Sequence, residues 1–218
     1  MNNEKLDLFD KGDYQPIDSN FMVEGSEVLQ EVTKVQEKFG KNDTDTFINE
    51  LRDSIVGHYL GFDYVNVQKH GFDCKMKDEN VYLEVKSASF TADTWRATFN
   101  DTTLEKSQAF KDTKLFLALA VWKNASDLLF LAFGQNEKIG QFLESKVQHF
   151  KSGNTVRSTQ SIPFSTLVFS YNFKILCVSK TKQEVKTILR NKSSRFLSIR
   201  DESFIELEDF KGIKNYTF

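Results

Sequence analysis

Asp73, Glu84 and Lys86 are the residues of this chain whose types and spacing could do chemistry together. They lie in residues 70–89, HGFDCKMKDENVYLEVKSAS, which read as two short strands joined by the polar turn Lys77-Asp78-Glu79-Asn80. Strand side chains repeat every two residues. Val81, Leu83 and Val85 are therefore expected on one face of the second strand, and Tyr82, Glu84 and Lys86 on the other. In the first strand Phe72 and Cys74 are expected to face the core, with Asp73 and Lys75 opposite. Pairing around the turn then brings Asp73 close to Glu84 and Lys86.

Two carboxylates sharing a surface repel each other unless a cation sits between them. Oxygen ligands so arranged suit a hard ion such as Mg²⁺, which keeps several waters. A bound ion lowers the pKa of one of those waters and polarises a phosphoryl oxygen. A lysine two residues beyond the second carboxylate can hold the attacking water and offset charge growing on phosphorus. The bland alternative is a surface hairpin carrying Asp, Glu and Lys on its wet face. Against it, Glu84 and Lys86 sit inside an apolar strand, Asp73 is flanked by Phe72 and Cys74, and the small residues Ser87-Ala88-Ser89 let another backbone approach.

The elements that must position these groups are legible from hydrophobic spacing. Residues 1–20 have little periodicity and read as a flexible N-terminal arm. Val28, Leu29, Val32, Val35 and Phe39 predict a helix over 25–39. A second helix, capped by Asp43 or Asp45, runs to Leu60 with Phe47, Ile48, Leu51, Ile55 and Tyr59 inward. Glu50 shares a stripe with the small residues Ser54 and Gly57; it either faces the cleft or is a solvated helix glutamate. Residues 62–69 predict a strand before the hairpin, and 90–100 an irregular segment. Asp101-Thr102 cap a helix to Phe110, and 114–122 is an apolar run suited to a central strand buried on both faces. A strand over 127–133 and a helix over 136–151 follow, the helix turning Ile139, Phe142, Leu143, Val147 and Phe150 inward. Residues 162–169 fit strand or helix, 174–179 a strand, 181–191 a helix, and 196–199 and 204–207 short strands.

Asp73 followed after a hairpin by Glu84-Val85-Lys86 resembles the PD-(D/E)xK nuclease superfamily, the fold of most type II restriction endonucleases. The resemblance covers about residues 43 to 135. It departs at Phe72, where the motif has proline. It implies a restriction-endonuclease-like core of α/β (α+β mixed-sheet) class, a central mixed sheet flanked by helices. It gives Glu50 in DTFINELRDSIVGHYLG the role of the acidic residue on the helix before the hairpin. It also implies Asp73 and Glu84 as Mg²⁺ ligands with the Val85 carbonyl, and Lys86 as the residue that positions water. A homodimer reading a palindrome and a cognate DNA methyltransferase are implied as partners.

At 218 residues with 39% hydrophobic and 28% charged residues, one domain over 1–218 is expected, with a core of ordinary size. No apolar run reaches membrane-spanning length, and the polar start MNNEKLDLFDKGDYQ does not read as a signal or transit peptide. Cys74 and Cys177 are expected as reduced core residues of a cytoplasmic protein. Net charge −2 argues against a non-specific DNA coat, which would be basic throughout, and leaves room for a local positive cleft.

Duplex DNA needs positive charge beside the metal site and side chains that reach base edges. Trp95, Arg96 and Asn100, just after the E-x-K strand, are the first candidates, with packing the alternative for Trp95. Arg157 and Gln160 in the segment 151–160, and Arg195 in 190–195, are the next. The expected function is a Mg²⁺-dependent, sequence-specific endodeoxyribonuclease. Two alternatives stay open: a junction resolvase, repair nuclease or exonuclease on the same fold, and a non-catalytic DNA-binding or assembly protein.

Overall fold

Eight consecutive apolar residues, LFLALAVW, form the middle strand of a sheet, and all eight are buried. Their alternation feeds two cores. Leu115, Leu117, Leu119 and Val121 pack on one face, and Phe116, Ala118, Ala120 and Trp122 on the other. A strand covered on both faces has no wet side, which is why its sequence shows no polar alternation. Each fully buried leucine here is worth about 1.5–3 kcal/mol relative to exposure.

The computed structural model describes residues 13–14, 19–39, 46–66, 72–77, 79–100, 102–112, 114–152 and 159–218. In chain order the elements are β1 (Asp13–Tyr14), α1 (Ser19–Phe39), α2 (Thr46–Leu60), β2 (Asp63–Asn66), β3 (Cys74–Lys75), β4 (Tyr82–Ser89), β5 (Arg96–Phe99) and α3 (Leu104–Ala109). They continue with β6 (Leu115–Trp122), β7 (Leu128–Gly134), α4 (Glu137–Lys151), β8 (Gln160–Pro163), α5 (Phe164–Ser170), β9 (Lys174–Cys177), α6 (Lys182–Lys192) and β10 (Phe204–Glu206). The main sheet is mixed, in the order β1-β2-β3-β4-β6-β7-β9-β10, and β5 pairs with β8 in a separate antiparallel ribbon. The pairs β4–β6 and β9–β10 are parallel. This is the expected α/β class, a mixed sheet flanked by helices.

Helices α1 and α2 cover one face, where Leu29, Leu51 and Ile55 share a core with Leu83, Val85 and Ala118. The two helices approach closely at Gly25, where a Cβ would stand 3.0 Å from a Leu51 methyl. The opposite face carries α4, α5, α6 and the β5–β8 ribbon, with Ile139, Leu143, Leu167, Val185, Leu189, Ala97 and Ile162 in one cluster. Cys74 and Cys177 are free and buried, as expected. Among the described residues no helix is long and apolar enough to cross a membrane.

Several local expectations need correction. Residues 96–99 form a strand, because Arg96-Ala-Thr-Phe alternates exposed and buried and finds its partner in β8. Helix α3 is capped by Thr103, whose side chain accepts from Lys106 N–H, rather than by Asp101-Thr102. Residues 160–170 split into β8 and α5 at Pro163, which can end a ladder and open a helix. Residues 194–198 form a 3-10 helix in place of a strand, with Phe196 N–H bonded back to Ser193 O. Phe150, in the last turn of α4, is partly exposed. The arm expected over 1–20 falls largely outside the described residues; within it Asp13–Tyr14 pairs with β2, and α1 opens at Ser19.

Candidate active site

The hairpin 72–89 closes at Met76 and Val81, where Met76 N–H donates to Val81 O at 2.8 Å. Its register sets Cys74 against Leu83 and Lys75 against Tyr82. Continued by one residue, that register puts Asp73 opposite Glu84. Asp73 itself lies in a bend, and its Oδ2 accepts from Val85 N–H at 2.6 Å. The bend also explains Phe72, which leaves the face of Cys74 and packs against Tyr82 with ring centroids 5.7 Å apart. Val81, Leu83 and Val85 lie together toward α1 and α2, as their alternation predicts.

Glu84 is 2% exposed, and its Oε1 receives two ammonium groups. Lys86 Nζ lies 2.7 Å away and Lys106 Nζ 2.8 Å away. Lys86 comes from the same strand, two residues on, and its Nζ stands 5.9 Å from the centre of the Phe99 ring. Lys106 comes from the first turn of α3. A further carboxylate, Asp53 on α2, is close enough for Asp73, Lys86 and Glu84 to act on its charge. Its backbone oxygen accepts from Cys74 Sγ at 3.6 Å, which sets this turn of α2 beside β3.

The electrostatics follow from burial and from these pairs. Burial, reinforced by Glu84, pushes the Asp73 carboxyl up to about 6. Burial and then Asp73 raise Asp53 well above the usual carboxylate range. Burial also acts to raise Glu84, but Lys86 and Lys106 outweigh it and hold that carboxyl below its ordinary value. In the same way burial acts to lower Lys86, and Glu84 with Asp73 outweighs it and raises the ammonium. The cluster of Asp53, Asp73, Glu84, Lys86 and Lys106 thus sets three acids against two bases.

That donor set fits a hard divalent cation. It is rich in oxygen, short of positive charge, and holds carboxyls that burial disfavours in their charged form. Among the described residues no further hydrogen bond reaches Asp73 Oδ1 or Glu84 Oε2, so each acid has one oxygen to offer. Among the described residues no group of three or more His, Cys, Asp and Glu stands at metal-ligand spacing. A cation here would therefore rest on two carboxylates and complete its shell with water, the habit of Mg²⁺.

The structure brings Asp73, Glu84 and Lys86 together, and Glu50 does not join them. Glu50 is exposed, and its place near the cluster is taken by Asp53, one helical turn farther along α2. Lys106 joins the cluster without a motif in the sequence to mark it. Its only signal is its offset of three residues from a Thr that caps a helix.

The residues expected to meet DNA divide. Trp95 is a core residue, not a groove residue. It is 3% exposed, its ring lies edge-on to Phe130 at 5.5 Å and Phe164 at 5.9 Å, and its indole N–H donates to Phe90 O. Arg96 is exposed and donates to Thr94 Oγ1 at 2.9 Å and Ser161 Oγ at 3.4 Å. Asn100 is exposed. Gln160 is half-buried opposite Phe99, on the ribbon face that adjoins Lys86. Arg195 is exposed with Nη1 on Ser165 Oγ at 3.4 Å. Arg157 lies outside the described residues.

No family model matches this chain, and no curated protein and no solved structure matches it.

Proposed function

We propose that this protein is a Mg²⁺-dependent endonuclease that hydrolyses phosphodiester bonds of duplex DNA at specific sequences, a PD-(D/E)xK enzyme of the type II restriction kind. The observation that carries the reading is the facing pair Asp73 and Glu84 with Lys86 on the same carboxylate. An ordinary wet hairpin face would leave these groups solvated, whereas Glu84 is buried and served by two ammoniums.

Asp73 and Glu84 would hold the cation, with the Val85 carbonyl that the resemblance adds. The bound cation supplies Lewis acidity toward a phosphoryl oxygen and a water. Lys86 orients the attacking water and places positive charge where the equatorial phosphoryl oxygens gain negative charge. The new bond forms between water oxygen and phosphorus, and the bond to the 3′ oxygen breaks, in line. By family resemblance the ends are 5′-phosphate and 3′-hydroxyl. Asp53, not Glu50, is the helix acid of this scheme, and its carboxylate favours the ammonium form of Lys86. Arg96, Asn100, Gln160 and Arg195 remain the DNA contacts of the proposal, with Arg157 as a sequence-level addition. The enzyme would act in the cytoplasm as a homodimer, alongside a cognate DNA methyltransferase.

The test is a digest of phage-length duplex DNA with Mg²⁺ or EDTA, by wild type and by Glu84→Ala. Discrete fragments with Mg²⁺, lost in EDTA and in Glu84→Ala, are expected. A continuous ladder would move the protein to another nuclease class, and no metal-dependent cleavage by wild type would defeat the proposal.

A further inference from the structure

We infer that Lys106 is a second phosphate-binding lysine of this site, held on Glu84 until a divalent cation takes that carboxylate. The inference rests on the nuclease reading and adds a substrate contact to it.

The two ammoniums on Glu84 Oε1 are not equivalent. Lys86 is fixed by β4, which pairs residue by residue with β6. Lys106 reaches in from a separate element, α3; the two side chains are exposed alike, 26% for Lys106 and 22% for Lys86, but only Lys86 also lies against the Phe99 ring, at 5.9 Å. The backbone of α3 is firmly set. Thr103 Oγ1 accepts from Lys106 N–H at 3.1 Å. The next residue, Ser107, is pressed against α4 so closely that a Cβ on Gly140 would stand 2.4 Å from its carbonyl oxygen. A rigid base under a partly exposed, flexible four-carbon arm suits a group that swings between two partners near one anchor.

Charge supplies the reason to swing. Without a cation, Glu84 is the acid held in its charged form and both ammoniums lie on its Oε1, so Lys106 gains by staying there. A dication bound by Asp73 and Glu84 would add two positive charges beside the two ammoniums. Glu84 then has less to offer Lys106, and the cation repels it. The nearest compensating anion becomes the phosphate of a bound nucleic acid, which an ammonium engages as a point charge. A purely structural counter-ion would stay on Glu84 in both states.

The two cases differ in the salt dependence of DNA binding. Each phosphate neutralised by a lysine adds close to one unit to the slope of log K against log salt. Full-length wild type, Lys106→Met and Lys106→Arg would be titrated into a fluorescently labelled duplex of mixed sequence, in Ca²⁺ and separately in EDTA. Met keeps the aliphatic length and helix propensity, and Arg keeps the charge. The expected result is a slope about one unit shallower for Lys106→Met in Ca²⁺, no change in EDTA, and the wild-type slope restored by Lys106→Arg. Calorimetric titration with Mn²⁺ alone should show tighter binding to Lys106→Met than to wild type. An unchanged slope in Ca²⁺, or the same loss in both buffers, would overturn the inference. Failure of the nuclease reading is a separate outcome, visible as wild type that does not cleave DNA with Mg²⁺.

Discussion

Val85 N–H donates to Asp73 Oδ2 at 2.6 Å, so the carboxylate of one strand is fixed by the backbone of the next. The regular ladder of β3 begins one residue later, at Cys74. The bond carries the pairing on to the acid and holds it across from Glu84. Under the proposed function, an acid oriented in advance would lose little freedom on binding a cation.

Asparagine at position 73 keeps an oxygen for that bond and removes the charge, which gives a stability prediction in EDTA. The folded carboxyl sits at about 6 against an ordinary 3.8, so the folded state binds this proton more tightly than the unfolded chain. Its stabilising contribution is complete below the ordinary value and is lost as pH rises through about 6. Asp73→Asn should therefore melt close to wild type at low pH and several degrees higher near neutrality, the gap opening across that window. A gap that stays constant from acid to neutral pH would contradict the assignment.

Glu50 and Asp53 make opposite predictions on the same helix. Glu50 is exposed, so Glu50→Ala should leave cleavage within about twofold and stability within about 0.5 kcal/mol. Asp53→Asn removes a charge felt by Lys86 and should slow single-turnover cleavage by about 10²-fold or more, on the scale of lost general acid–base or positioning groups. Parallel rate measurements decide the matter. Equal effects of the two substitutions would show that the helix contributes no acid to the site.

Lys86→Arg asks whether position or charge matters. The planar guanidinium is bulkier than an ammonium and places its donors elsewhere. Lys86 is confined between Glu84 Oε1 and the Phe99 ring. The arginine variant should be nearly as slow as Lys86→Ala in single-turnover cleavage at saturating Mg²⁺, with DNA binding kept in both. Near wild-type cleavage by Lys86→Arg would reduce the residue to a source of field.

Much of this site is a matter of parity, and parity is legible in a sequence. The polar turn 77–80 and the strand alternation put Asp73 with Glu84 and Lys86, and the unbroken run 115–122 marked the buried strand beside them. What escaped depended on distant partners. Strand β5 has four residues and acquires its identity from β8, which lies beyond α3, β6, β7 and α4 in the chain. Asp53 rather than Glu50 stands near the cluster because β3 abuts α2 at Asp53, where Cys74 Sγ meets its carbonyl. Helical phase alone does not say which turn of a helix stands over a strand. Trp95 sits in a polar stretch, TADTWRAT, yet fills a hole between Phe90, Phe130 and Phe164 that only the folded core defines.

Gly140 tests whether the α3–α4 contact governs the site from a distance. A methyl group there would meet Ser107 O at 2.4 Å and Lys111 N at 3.0 Å, both backbone atoms. Gly140→Ala should cost about 1–3 kcal/mol through overpacking, despite the better helix propensity of alanine. The displaced α3 should also weaken the Lys106–Glu84 pair, which the cation affinity of the variant would report. A gain in thermal stability would mean the two helices part at no cost.

The parallel pairing of β4 with β6 bears on the order in which the molecule assembles during synthesis. Glu84 lies beside Leu117 and Lys86 beside Leu119, so the acid-bearing strand has no ladder on that side until the chain through Trp122 has been made. The crossover between the two strands contains β5 and α3, and with them Phe99 and Lys106. Ladder, aromatic neighbour and second ammonium therefore arrive in one late event, as non-local parallel pairing requires. A ribosome-bound fragment ending before β6 would carry Asp73, Glu84 and Lys86 on an unfinished sheet edge, with every group of the cluster present in sequence and the cluster not yet assembled.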